Sequence, residues 1–317
     1  MATRRKSFAP VKRTVFISMN RFGHRMLETL REGGIPTSHL YTLFPEQATQ
    51  VSDYQDFRPL AARARIPYTL VKHIRNHGEE IARLKPDLIF VFGWSQILPK
   101  EFLTLPRLGC LGSHPAILPR NRGRAAIPWH FINEERYGGL TFFFLGEGCD
   151  DGDIIAQARF PLRAADNART YYERIMQEGA VLLRKLMPQL RAGQLPRRHQ
   201  DERRATYLLG RTAADSALNF KEMSSREIFN LVRAVAYVYP AAFAYYEGKK
   251  VLFHQAQVVT PQYTRYSATI GQVAAADTDS VVIKARDGFV KLSDVRGESG
   301  EKLACIKVFK VGHHFNR

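Results

Sequence analysis

Two short stretches carry residue types that could do chemistry together. Residues 109–129 read GCLGSHPAILPRNRGRAAIPW, and residues 146–154 read GEGCDDGDI. The first sets one imidazole, His114, in a turn-rich run with Pro115, Pro119 and a train of arginines behind it. The second supplies three carboxylates, Asp150, Asp151 and Asp153. A histidine oriented by a carboxylate is a general acid/base unit, because the carboxylate selects the tautomer and stabilises the imidazolium. Each stretch alone has a plain reading as well: a lone loop histidine is usually just that, and DDGD is a good turn sequence. The aspartates could also be read as a divalent-metal cluster, but no second histidine-plus-carboxylate spacing supports it, so no metal is expected.

The elements that must position these residues follow from the apolar pattern. TVFISM (Thr14 to Met19) is a short β-branched apolar run, and HRMLETLREGG continues it as a helix with Met26, Leu27 and Leu30 on one face, stopped by the glycine pair. SHLYTLF and YTLVKH read as strands around the short helix FRPLAARAR, and a helix through Ile81 and Leu84 leads to DLIFVFG, the strongest buried strand. GCLGSHPA is the next strand, ending at His114. AAIPWHFINEE is a helix, GGLTFFFLGEG and IIAQARFPL are strands, and a long helix runs from about Asn167 to Arg191. Strands alternating with helices predict βαβ units in a mostly parallel, Rossmann-like sheet, whose ligands bind beyond the carboxyl ends of the strands. NRFG after the first strand is too weak to be a dinucleotide fingerprint.

The polar, charge-dense stretch 194–207 reads as a linker. The expected organisation is therefore a basic arm (1–13), a catalytic α/β domain (14–193), that linker, and a smaller domain (208–317). In the last, an amphipathic helix SSREIFNLVRAV, with Ser224 or Ser225 as cap and Glu227 beside it, precedes short alternating strands that suggest an antiparallel, OB-like β-barrel.

The chain has 317 residues, enough for two domains. Its Cys110, Cys149 and Cys305 are too far apart for a zinc site or a disulfide scaffold. No apolar run is long enough to cross a bilayer and the basic N-terminus lacks the apolar core of a secretory signal, so the cytoplasm is the expected compartment. The formal net charge of +17 favours anionic partners without choosing among them.

The pattern HP-A-ILP-R-x-RG-R, followed some thirty residues on by L-x-E-G-x-D-x-GDI, resembles the 10-formyltetrahydrofolate-dependent formyltransferases, whose core reads N-x-H-x-S-L-L-P-x-x-R-G and then D-E-G-x-D-T-G-D-I. The likeness extends from about Thr14 to the end: LLGRTAADSALNF and IFNLVRAVAYVYPAAFAYY are similar to stretches of the tRNA-acting and aminoarabinose-acting members. The resemblance implies formyl transfer from N10 of the folate to an amine, with His114 as the catalytic histidine and Asp150 as its carboxylate. It also implies a cofactor site lined by Gln96, Ile97 and Leu98, by Ala116, Ile117, Leu118 and Pro119, by Arg124, and by the loop Gly146, Glu147, Gly148 and Cys149.

One departure stands out. The family asparagine two residues before the histidine, which helps hold the oxyanion, falls on Gly112. Losing one such donor typically costs on the order of 10²–10³ in rate. A backbone N–H, Ser113 or Asn121 could substitute, although Ser113 should face the other side of the strand; glycine also leaves room for a water or a substrate group. The segment where tRNA-acting members carry a basic insertion is here Leu43 to Phe57, with no Lys or Arg and three acidic residues. That favours a small amine acceptor, such as a nucleotide-linked amino sugar or an amino acid derivative, over methionyl-tRNA. The arginines at 197, 198, 203 and 204 and the net charge pull towards tRNA. Two further readings stay open: a silent fold kept as an RNA-binding or assembly module, and a formyl-folate hydrolase. Trp94, Trp129 and Tyr54 read as packing residues, and the oligomeric state is not legible.

Overall fold

The computed structural model describes residues 9–51, 53–259 and 267–315. The basic arm lies outside them as far as residue 8. In chain order the elements are β1 (Thr14–Ile17), α1 (Arg21–Glu32), β2 (His39–Leu43), α2 (Arg58–Ala64), β3 (Tyr68–Val71), α3 (Gly78–Arg83), β4 (Leu88–Val91), α4 (Lys100–Thr104), β5 (Cys110–His114), β6 (Arg122–Gly123), α5 (Ala126–Ile132), β7 (Tyr137–Phe144), β8 (Ile154–Pro161) and α6 (Ala168–Ala192). The remainder comprises β9 (Tyr207–Leu208), α7 (Ser225–Ala234), β10 (Ala242–Tyr246), β11 (Lys249–Val259), β12 (Val273–Ala276), β13 (Ser280–Lys284), β14 (Phe289–Gly297) and α8 (Cys305–Val308). They form two compact units: residues up to Gly123 with Gly138–Pro161 and Glu173–Leu208, and Arg124–Tyr137 with Leu162–Tyr172 and everything from Leu209 on.

The first unit is built on a seven-stranded sheet of order β3-β2-β1-β4-β5-β7-β8. The first five of these strands pair in parallel. Every side chain of β1 and β4 is buried, as a central parallel strand covered on both faces requires. Helix α1 starts where the Asn20 side chain accepts the Gly23 N–H at 3.0 Å, stops at Gly33, and turns Phe22, Met26, Leu27 and Leu30 onto the sheet. β5 and β7 are antiparallel, with His114 opposite Thr141 and Leu111 opposite Phe144.

In the second unit, β10-β11-β14-β13-β12 form a five-stranded antiparallel sheet. The helix expected near Ser224 is α7, and Ser224 is its N-cap in a reciprocal capping box with Glu227. α5, although it follows the histidine segment in sequence, packs on α7: Glu134 accepts from Asn230 and from Arg226, and the Arg233 guanidinium lies 5.0 Å from the Phe131 ring centre. The stretch 194–207, read as a linker, lies with the first unit.

Candidate active site

His114 is the last residue of β5, and strand alternation turns it to the same face as Gly112. From sequence, both stretches fall at the carboxyl ends of strands in a mostly parallel sheet. Because β7 runs antiparallel to β5, its carboxyl end instead arrives beside Cys110, where the Leu145 N–H donates to the Cys110 carbonyl at 2.8 Å. The loop Gly146–Asp153 must therefore come back across β5 to bring Asp150 to the histidine. His114 is 5% exposed, and its Nδ1 lies 3.4 Å from Asp150 Oδ2. Its Nε2 is 2.6 Å from the Asn121 carbonyl oxygen, which can only accept, so a hydrogen sits on Nε2. The ring thus has an acceptor at each nitrogen.

Asp150 has φ +50° and Asn121 φ +60°, a left-handed conformation that costs a non-glycine residue roughly 1–3 kcal/mol and needs outside support. Part of that support is the Gly123 N–H, which donates to Asp150 Oδ2 at 2.8 Å. The other acidic side chains go elsewhere. Asp151 accepts from the Gly148 N–H at 3.1 Å, and Asp153 lies 3.6 Å from Arg197 and 3.5 Å from His199.

The residues expected to line a folate site fall in three groups. Gln96 folds back on the chain after β3, accepting from the Ile74 N–H and donating to the Lys72 carbonyl, while Ile97 is 93% exposed and Leu98 packs on the core. Ala116 and Leu118 are buried, Leu118 against Phe143 and Ile154, so their side chains pack inside the protein. Ile117 packs over Gly139, and Pro119 is half-buried. This turn is held by Thr141, whose hydroxyl donates to the Ala116 carbonyl and accepts from the Leu118 N–H, and by Gln157, which donates to the Leu118 carbonyl. Glu147 is paired with Lys100, and Cys149 is exposed with Sγ 3.9 Å from Asp150 Oδ2. Gly146 and Gly148 both lie against the Asp151 carboxylate. Arg124 belongs to the second unit, where its side chain lies against Gly210.

The volume at Gly112 is filled. A Cβ there would press on Leu145 Cδ2, with Leu145 Cγ 3.2 Å and Phe143 Cε1 3.5 Å away. The expected room for a water or a substrate group is therefore taken by a side chain.

Sequence reasoning missed Thr141, Gln157, Arg122, Gln200 and Glu202. Arg122 is 1% exposed, forks onto Glu202 at 2.6 and 2.9 Å, and donates to the Tyr207 hydroxyl at 3.0 Å. That pairing holds the Glu202 carboxyl below its ordinary range. The signal for Arg122 was its place in the RNRGR run. None marked Gln200 or Glu202, which sit in a stretch without periodicity.

A buried histidine set against a carboxylate at a strand end of a mostly parallel sheet is an arrangement that can move a proton. Comparison with known proteins narrows the class. Residues 44–186 match the formyl transferase family and residues 211–311 its C-terminal domain. The chain is 27% identical over 308 residues to the methionyl-tRNA formyltransferase of Caldanaerobacter subterraneus, covering 95% of this chain and 97% of that one. It is 31% identical over 235 residues to that of Syntrophus aciditrophicus, covering 74% and 73%. Among solved structures, HypX from Aquifex aeolicus in complex with tetrahydrofolic acid superposes with a TM-score of 0.65 at 22% identity, over 90% of this chain and 44% of that one. WlaRD, a sugar 3N-formyl transferase crystallised with dTDP and 5-N-formyl-THF, gives 0.65 at 16% identity, over 89% and 97%. The chain belongs to the formyl transferase family, whose members are 10-formyltetrahydrofolate-dependent N-formyltransferases. No helix among the described residues is long and apolar enough to cross a membrane.

Proposed function

We propose that this chain transfers the formyl group of 10-formyltetrahydrofolate to the amine of methionyl-tRNA, with His114 as acid/base and Asp150 as its partner. The observation that carries the chemistry is the buried His114 ring with Asp150 at Nδ1. The folate supplies an electrophilic formyl carbon. The acceptor nitrogen bonds to that carbon, the bond to N10 breaks, and the proton lost by the amine is returned to N10. His114 is the group we assign to that proton: its Nε2 already carries a hydrogen on the Asn121 carbonyl, so the proton is taken and returned at Nδ1, where Asp150 stabilises the charged ring.

For the acceptor, similarity over nearly the whole chain to methionyl-tRNA formyltransferases supports tRNA better than the small amine favoured by the loop composition. A small amine stays as a second reading on one observation. Leu43 to Phe57 has no cation, and of the arginines at 197, 198, 203 and 204 at least three are engaged within the chain. Arg197 donates to the Leu108 carbonyl and covers the Phe144 ring at 3.6 Å, Arg198 is bound to Gln157, and Arg203 to Asp201.

The test offers 10-formyltetrahydrofolate with methionyl-tRNA, amino-sugar nucleotides and amino acids in parallel, and follows formyl product. Formyl-methionyl-tRNA is the expected product; transfer only to a small amine establishes the second reading. No product with any acceptor, and a His114→Ala variant with unchanged folate turnover, would sink the enzymatic reading; salt-sensitive tRNA binding without transfer would point to a binding module instead.

A further inference from the structure

We propose that Gln200, tied to Arg122, is a positioning residue for formyl transfer: it grips the loop that carries Asp150, so that residues 200–207 are part of the catalytic machinery. The inference rests on the reading of His114 and Asp150 as the acid/base pair.

Gln200 is 1% exposed and has every hydrogen-bonding position on its amide in use. Its Nε2 donates to the Asp150 carbonyl and to the Gly152 carbonyl, both at 2.7 Å. Its Oε1 accepts from Arg122 Nε at 3.2 Å and Nη2 at 2.9 Å. A flipped amide would set an oxygen against two carbonyls and an NH₂ against a guanidinium, so the orientation is dictated by its partners. The residue gripped is the one whose φ of +50° needs holding.

Arg122 explains why the grip is firm. A buried guanidinium is costly unless its charge and N–H groups are matched. Here Glu202, Gln200 and the Tyr207 hydroxyl match it. The two peptide groups flanking that side chain both reach the pair, the Asn121 carbonyl at His114 and the Gly123 N–H at Asp150. The tripeptide 121–123 is itself pinned by pairing of β6 with β9, by the Arg122 N–H on the Thr206 carbonyl, and by the Asn121 N–H on the Thr206 hydroxyl. Backbone and side chain of one short segment therefore converge on the pair, and Gln200 closes the ring from the other side. Gln200 and Glu202 fall between the two stretches that match the family, so nothing in those matches assigns them.

A purely structural staple and a positioning device make different predictions. Gln200→Met keeps the volume and removes both grips. It should lower kcat by roughly 10–100-fold, the scale seen when an outer hydrogen-bonding partner of an active group is lost. Binding of 5-formyltetrahydrofolate, measured separately by calorimetry, should stay at the wild-type affinity and at one site per chain. In an Asp150→Asn background the same change should cost little more, because it acts through Asp150. Arg122→Lys, which keeps the charge but loses the fork, should lie between wild type and Gln200→Met. Unchanged kcat in Gln200→Met, or a loss that multiplies in full with Asp150→Asn, overturns the proposal. Should Gln200→Met fail to fold by circular dichroism, Glu202→Gln loosens Arg122 from the exposed side; a fall in kcat that is non-additive with Asp150→Asn supports the proposal, and wild-type kcat overturns it. If Asp150→Asn and His114→Ala themselves keep wild-type kcat, it is the reading of the pair that falls; if they lose activity and Gln200→Met does not, only the role of Gln200 falls.

Discussion

At the scale of single residues, the site is a histidine with an acceptor at each nitrogen and a glycine where the family carries an asparagine. His114→Ala should cost about 10²–10⁴ in kcat, the usual worth of a positioned acid/base group, with folate binding retained. A parallel loss of folate affinity in a binding titration would instead assign His114 to ligand holding. The Gly112 position makes a second, independent prediction. Since Leu145 occupies the space, Gly112→Ala should destabilise the protein by about 1–3 kcal/mol, as overpacking does, read as a lower denaturant midpoint at constant slope. Leu145→Ala in the same chain should recover part of that loss. Gly112 was conspicuous in the sequence, but Leu145 as its complement was not, because the two meet only when antiparallel pairing brings residue 145 beside residue 110.

At the scale of elements, long periodic segments were legible and two-residue ones were not. α1, β4 and α7 follow from spacing and caps, whereas β6 and β9 are too short to have a pattern, although their pairing anchors the tripeptide beside His114 and Asp150. α7 offers a test of cap chemistry. Ser224→Ala should cost about 0.5–2 kcal/mol by removing the side-chain acceptor for the Glu227 N–H. The Ser224 N–H and hydroxyl hold the Glu227 carboxyl below its ordinary value of 4.5. A carboxyl depressed in the folded state adds stability that is present above the unfolded pKa and lost as pH falls through the folded one. Glu227→Gln should therefore be less stable than wild type near neutrality and converge with it in acid, as followed by denaturant unfolding over a pH series.

At the scale of the whole molecule, the surplus of Lys and Arg separates the two acceptor readings. If methionyl-tRNA is the acceptor, log kcat/KM for it should fall linearly with log salt, by about 0.7–0.9 for each phosphate contacted, whereas a small amine with few or no phosphates should show a shallower dependence. A flat salt profile with methionyl-tRNA as a good substrate would show that the cations of this chain do not meet the RNA backbone. The composition made such a partner conceivable; it could not show that Arg197 and Arg198 are already engaged, since side-chain partners across 40 to 90 residues leave no trace in local sequence.

What the sequence carried by itself was the order of the longer elements, from residue type at a local spacing, and, through the family resemblance, the expectation at His114 and Asp150 and the departure at Gly112. Tertiary structure alone decided that the aspartate loop returns across β5, that Leu145 lies where a side chain at residue 112 would go, that α5 packs with α7, and that the segment read as a linker reaches Asp150 through Gln200. These depend on strand direction and on buried hydrogen bonds between residues far apart in the chain, and a sequence pattern encodes neither.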